Sequence, residues 1–151
     1  MARLSAEKDH DMAKMPEEYR EEFLSKTRYG YLTTLAGDGS PRSVPVWFDW
    51  DGRAVRIFTG IESPKVKRIR RDPRVTLLVA NDRSEYEAWV SFDGTATIRI
   101  EGAIDLMERL ARKYWDLSDP DRKATFDSWM RVPEKWCVIE LAPTRIRSFF
   151  D

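Results

Sequence analysis

Short β-strand patterns separated by tight-turn patterns recur along this chain and limit its fold more than any other feature. Residues 29–35 are rich in β-branched and aromatic side chains, and the turn-forming segment 36–40 follows them. The strand pattern of residues 41–50 leads through the hairpin turn Asp51-Gly52 to a third strand at 54–59. Further strand patterns cover residues 75–80, 86–92, 95–100, 135–141 and 144–150. Six or more short antiparallel strands predict a mainly β fold, either a barrel or a sandwich.

Four segments have helix patterns. They are residues 16–26, 63–72, 103–116 and 119–130. Three contain a proline near their start, Pro16, Pro64 and Pro120, where a helix tolerates it best. Residues 1–15 are polar and weakly patterned, which predicts a flexible N-terminal arm. Residues 16–151 have the length of one domain with one core, so we expect a β domain with peripheral helices.

Charge and residue counts exclude several function classes. The 26 basic and 26 acidic residues give a formal net charge of zero, so no overall field favours nucleic acid or a membrane. The basic segment 65–74 is therefore a local patch. The single histidine, His10, excludes a histidine-based triad or multi-histidine metal site unless a second subunit contributes. The single cysteine, Cys137, lies in an apolar run, and no membrane span or signal peptide is visible, so we expect a cytoplasmic protein.

The helix pattern at 63–72 begins like an anion site. Ser63 fits the N-cap and Pro64 the first helical position. The free backbone N–H groups of a helix start bind anions. Thr59 and Ser63 add hydroxyl donors and Lys65 adds a positive charge, so these residues could hold a phosphate. The alternative is a basic helix face that is simply solvated.

The strand at 41–50 has apolar residues on both faces. Val44, Val46, Phe48 and Trp50 alternate with Ser43, Pro45, Trp47 and Asp49. Val46 beside Trp47, and Trp89 beside Val90, repeat this two-sided pattern. One explanation is a small barrel that is tightly filled, and the other is an outer face covered by a second subunit or a planar ligand. Six tryptophans in 151 residues also suit an aromatic-lined pocket.

Several motifs in order resemble the split barrels related to pyridoxamine-phosphate oxidase, and more narrowly the flavin and deazaflavin oxidoreductases among them. The motifs are Arg28–Leu35, Asp38–Pro41, Val44–Phe48, Phe58–Thr59, Ser63–Lys65, Ile69–Val75, Trp89–Val90 and Gly94–Ala96. The resemblance implies an antiparallel split β-barrel of the FMN-binding type, paired as a homodimer with a cofactor at the subunit interface.

The same resemblance implies the cofactor-binding residues. The flavin or deazaflavin ring would lie along Val44, Pro45, Val46 and Trp47. The phosphate would lie where Thr59, Ser63 and Lys65 are, in agreement with the helix-start argument. Phe58, Pro64 and Arg70 belong to the matching motifs and complete the expected set. No catalytic residue follows from the motifs, although Arg28, Tyr86 and Glu87 are candidate proton donors or anchors.

The chain also departs from true pyridoxamine-phosphate oxidases. It has Ser63-Pro64-Lys65 at the phosphate loop instead of Ser-Arg-Lys, and residues 142–147 lack their C-terminal substrate motif. The segment 47–52, Trp-Phe-Asp-Trp-Asp-Gly, is closer to the deazaflavin branch. We therefore expect an oxidoreductase that uses coenzyme F420 to transfer hydride to a small organic substrate. The alternatives are an FMN-dependent oxidoreductase and a flavin- or haem-binding protein without turnover.

Overall fold

The computed structural model describes residues 14–151, so most of the predicted arm and His10 lie outside the described residues. The strands are β1 (Gly30–Leu35), β2 (Pro41–Val46), β3 (Asp49–Trp50), β4 (Val55–Gly60), β5 (Arg74–Ala80), β6 (Ala88–Arg99) and β7 (Trp136–Phe150). The helices are α1 (Glu17–Ser25), α2 (Pro64–Arg71), α3 (Ala103–Tyr114) and α4 (Pro120–Met130), with a short 3-10 helix at Pro133–Lys135. The four helices confirm the sequence prediction.

The strands form one antiparallel sheet in the order β2-β1-β5-β6-β7-β4-β3. β2 and β3 follow one another in the chain yet lie at opposite ends of this order, joined only by Trp47 and Phe48. Because a link of two residues spans no more than about 10 Å, the sheet must curl until its two edges come together. The result is the predicted antiparallel split barrel with peripheral helices.

The interruption at Trp47 and Phe48 corrects the prediction of one continuous strand over 41–50. Val46 and Phe48 both enter the barrel core, and Phe48 is only 1% exposed. Trp47 points to the opposite side and packs among residues of α3 and α4. The chain therefore passes from one edge of the sheet to the other at Trp47 and Phe48. On one side of the sheet these residues contact the barrel core, and on the other they contact a second cluster that the helices cover.

The two longest strands, β6 and β7, are continuous near their centres, where the sequence predicted breaks. The sequence suggested separate strands before and after Asp93-Gly94, yet β6 runs through these residues, where its pairing with β7 is shifted by a bulge. The predicted break at Pro143 is wrong, since β7 continues through it. Register shifts here, so that Asp93 faces Arg145 and Gly94 faces Pro143. A Cβ atom on Gly94 would lie 2.2 Å from the Ala142 carbonyl oxygen, so the bulge requires glycine.

Two layers of side chains hold the fold. The barrel core is apolar and includes Leu32, Ile57, Leu77, Val90, Phe92 and Ile139, all 0–1% exposed. α1 adds Phe23 and Leu24 to this core, and α2 adds Val66 and Ile69. α3 and α4 form a second cluster outside the sheet against Phe58 and Trp136. Within residues 14–151, no helix combines the length and apolar character that a membrane crossing requires.

Candidate cofactor site

A pocket of about 230 Å³ lies between the end of β2, the middle of β4 and the start of α2. Its lining residues are Tyr29, Pro45, Val46, Trp47, Phe58, Lys65 and Trp129. Five of these belong to the set expected from the sequence: Pro45, Val46, Trp47, Phe58 and Lys65. Residues far apart in the chain are thus brought together by the curling of the sheet.

One wall of the pocket is the edge strand β2. Among the described strands, β2 pairs only with β1, from Gly30 opposite Val46 to Leu35 opposite Pro41. An edge strand presents backbone donors and acceptors on its outer side. Such groups suit the polar edge of a planar ring, provided that the ring lies beside Pro45 and Val46.

Lys65 brings a positive charge to this apolar pocket from the first turn of α2. Burial lowers the pKa of its ammonium group, and the nearby positive charge of Arg68 lowers it further. An anion bound here would offset both effects because it favours the charged form of Lys65. The first-turn backbone N–H groups of α2 add partial positive charge at the same place.

Thr59 and Ser63 lie beside the start of α2. Thr59 is 7% exposed, and its hydroxyl donates to the Ser63 hydroxyl across 3.4 Å. Ser63 is the N-cap by position, with Pro64 at the first helical residue, but its side chain makes no capping hydrogen bond to the first turn. The two hydroxyls therefore lie near the helix start, and the Ser63 hydroxyl is not used to cap its first turn.

Five residues of the expected set do not line the pocket, and two of them are Thr59 and Ser63 beside the start of α2. Val44 packs against the barrel core, whereas Pro64 and Arg70 are exposed on α2. The other arginines of the basic segment have partners within the chain. Arg68 donates to the Thr34 hydroxyl at 2.7 Å. Arg71 donates to the Leu35 carbonyl at 3.3 Å, and Arg74 forms an ion pair with Asp72 at 2.7 Å.

The aromatic wall of the pocket includes two residues that were not in the expected set. Trp129 comes from α4 and Tyr29 from the residue before β1. Trp129 lies 5.9 Å from Phe58 and stacks on Trp115 at 5.2 Å between ring centroids. The six tryptophans were the signal for an aromatic pocket, but pattern alone could not say which of them meet.

The candidate proton donors are not brought to the pocket. Tyr86 is 83% exposed on the loop between β5 and β6, and Glu87 is exposed beside it. The Arg28 side chain is 1% exposed and donates two hydrogen bonds to Glu85, at 2.5 and 2.8 Å. Arg28 also donates to the Phe23 carbonyl at 3.0 Å. It therefore anchors the loop and is not free to donate a proton.

Larger cavities lie elsewhere in the described part of the chain, including one of about 390 Å³ near Arg56 and Glu140 and two that are larger still. One of about 430 Å³ lies on the outer face of the sheet near Thr76, Asp93 and Thr144. Another, of about 460 Å³, lies between α3 and α4 near Trp115 and Lys123. Neither contains any of the ten expected residues, so cavity size alone would have pointed away from the candidate site.

Comparison with known proteins agrees with this architecture. The sequence profile of the pyridoxamine 5'-phosphate oxidase family matches residues 15–149. The conserved hypothetical protein Rv2991 from Mycobacterium tuberculosis is 28% identical with a TM-score of 0.70, over 91% of this chain and 86% of that one. An F420 reductase shares the fold at 24% identity and a TM-score of 0.68, over 87% and 98% of the two chains. The heme storage protein HutZ from Vibrio cholerae also shares it, at 14% identity and a TM-score of 0.66, over 89% and 93%.

Proposed function

This chain belongs to the pyridoxamine 5'-phosphate oxidase family, and we propose that it is an oxidoreductase that holds coenzyme F420 in the pocket beside β2. The substrate would be a small organic molecule that accepts hydride. The observation that carries the proposal is the meeting of the β2 edge, four aromatic side chains and Lys65 in one pocket. A planar ring with a phosphate group matches this combination of an apolar slot and one positive charge.

The chain's own groups suit the two ends of such a cofactor. Pro45, Val46 and Trp47 border the pocket, and their backbone groups would orient the ring. Lys65, the hydroxyls of Thr59 and Ser63 and the start of α2 would bind the phosphate. Trp47, Phe58 and Trp129 would keep water from the ring. When bound, a deazaflavin transfers hydride, whereas FMN also supports one-electron and oxygen chemistry.

The preference for F420 over FMN rests on charge and on the Trp47–Gly52 segment. F420 has a phosphodiester and a glutamate tail, and therefore more negative charge beyond the ring than FMN. Arg70 is exposed on α2, and together with the nearby arginines it would attract that tail from the rim of the pocket. Because Arg68, Arg71 and Arg74 already have partners in the chain, we expect a modest attraction that salt screens.

A homodimer would complete the site. A cavity of about 230 Å³ is smaller than the roughly 300–1,000 Å³ typical of ligand pockets, so one chain supplies only part of an enclosure. The outer face of the sheet offers a surface for a second copy, since Tyr31 and Leu78 face each other there and are 45% and 37% exposed. The single cysteine is consistent with work in a reducing cytoplasm.

Titration of the purified protein with F420 and with FMN, followed by absorbance and fluorescence, tests the proposal. We expect both to bind, F420 more tightly, and the affinity for F420 to fall more steeply between low and high salt. Equal salt slopes, or FMN bound from the host that F420 cannot displace, would make this an FMN protein. Binding of haem but of neither ring cofactor would refute the oxidoreductase proposal in favour of storage without turnover.

A further inference from the structure

The Tyr114 hydroxyl lies at the interruption between β2 and β3. It donates a hydrogen bond to the carbonyl oxygen of Arg28 and accepts one from the backbone N–H of Phe48 at 3.4 Å. Tyr114 is the last residue of α3, so a single side chain joins this helix to two segments of the sheet. The hydroxyl therefore forms hydrogen bonds with two backbone groups, the Arg28 carbonyl and the Phe48 N–H. It does so at the break between β2 and β3, where Phe48 belongs to neither strand.

The Tyr114 ring also contacts the pocket wall. It stacks on Trp47 with 5.1 Å between ring centroids and 12° between ring planes. The side chain thus holds Phe48 by its backbone and Trp47 by its ring. These two residues point to opposite sides of the sheet, one into the barrel core and one into the pocket. Any rotation of this link would move the Trp47 indole within the pocket wall.

The partners of Tyr114 are themselves fixed. The Arg28 side chain is buried and bonded to Glu85 and to the Phe23 carbonyl, so its backbone has little freedom. Burial raises the pKa of Tyr114 to about 12. The phenol therefore stays protonated and able to donate at neutral pH.

We infer that Tyr114 is a positioning residue that fixes Trp47 in the wall of the candidate cofactor site. Tyr114 does not line the pocket, and it acts on the ring cofactor through Trp47. This inference rests on the proposed function, because it assigns a purpose to the geometry of the same pocket. It adds a residue from α3 to a site otherwise formed by β2, β4, α2 and α4.

The test removes only the hydroxyl. Tyr114→Phe retains the stacked ring but leaves the Arg28 carbonyl and the Phe48 N–H without this partner. We expect the dissociation constants for FMN and F420 to rise about tenfold. We also expect the near-ultraviolet circular dichroism of Trp47, obtained by subtracting the spectrum of Trp47→Phe, to change. Tyr19→Phe, the same deletion on the exposed face of α1, should change neither measurement.

A double variant tests whether the effect passes through Trp47. In the Trp47→Phe background, Tyr114→Phe should weaken binding less than about twofold. An undiminished tenfold effect there, or unchanged affinity and Trp47 dichroism in the single variant, would overturn the inference. If the wild-type protein binds neither FMN nor F420, the proposed function fails. The dichroism of the unliganded protein would then still decide whether Tyr114 fixes Trp47.

Discussion

Lys65 is the only cation among the described residues that line the pocket. We predict that Lys65→Ala weakens the binding of FMN and F420 by about 1–3 kcal/mol, the usual effect of removing a charged hydrogen-bond partner. Quenching of tryptophan fluorescence on titration measures this loss. Lys67→Ala provides the matched control, because Lys67 is exposed on the same helix and does not line the pocket. Equal affinities for Lys65→Ala and wild type would contradict the phosphate assignment.

At single positions, sequence rules could group residues that are close in the chain, but they could not identify every aromatic side chain that distant segments bring to the pocket. Thr59, Ser63 and Lys65 are close in the chain, so local turn and helix rules sufficed to group them. Trp129 reaches the pocket only because α3 and α4 pack on the outer side of β4 and β7. That packing depends on contacts between distant segments, which periodicity does not encode. Val44 was assigned to the site by motif, yet its side chain packs against the core.

Among structural elements, the loop between β5 and β6 is tied to the segment between α1 and β1 by ion pairs of Glu85 and Asp82, and the pair of Arg28 with Glu85 is the shortest of them. The hydrogen bonds from Arg28 lower the pKa of Glu85 to about 2, well below its usual value near 4.3. Because the pKa is lower in the folded state, the pair stabilises the protein above about pH 4.3. That stabilisation is lost as the pH falls from 4.3 towards 2.

We therefore predict that Glu85→Gln loses less stability than wild type between pH 6 and pH 3. Urea unfolding midpoints at the two pH values give the comparison. Glu87→Gln, a neighbouring exposed carboxyl on the same loop, should behave like wild type. Apart from the substituted residue, the three proteins have the same carboxylates, so the comparison isolates the contribution of Glu85. Identical pH dependence in Glu85→Gln and wild type would show that the Arg28 pair contributes nothing in acid.

Element boundaries were predictable where local chemistry sets them. Pro120 after Asp119 marks the start of α4, and the Asp119 side chain indeed accepts hydrogen bonds from Asp121 and Arg122. The break after Val46 was not predictable, since alternation continues through Trp47 and Phe48. It arises because the chain must pass from one sheet edge to the other, a requirement of the whole barrel. Similarly, Pro143 reads as a strand end, yet a bulge opposite Gly94 accommodates it.

For the whole molecule, the outer face of the sheet is notable because it exposes large apolar side chains. Strand alternation directs Leu32, Leu77 and Val90 into the core, and their neighbours Tyr31 and Leu78 outward. These outward residues form a register pair near the centre of the sheet. Exposed aromatic and aliphatic side chains of this kind are typical of protein interfaces. The partial enclosure of the pocket gives a second reason to expect a partner copy.

We predict that the wild-type protein is a dimer in solution and that Leu78→Arg makes it monomeric at micromolar concentration. A buried arginine without a partner is costly at an apolar interface, whereas in the monomer its side chain remains in water. Light scattering after gel filtration measures the mass, and FMN and F420 titrations follow on the same samples. Ile100→Arg is the control, since Ile100 is 56% exposed beyond the end of β6.

If the dimer completes the site, Leu78→Arg should also weaken cofactor binding, although no pocket residue has changed. A monomeric wild type that binds cofactor tightly would refute the shared site, and a Leu78→Arg dimer would move the interface to another face.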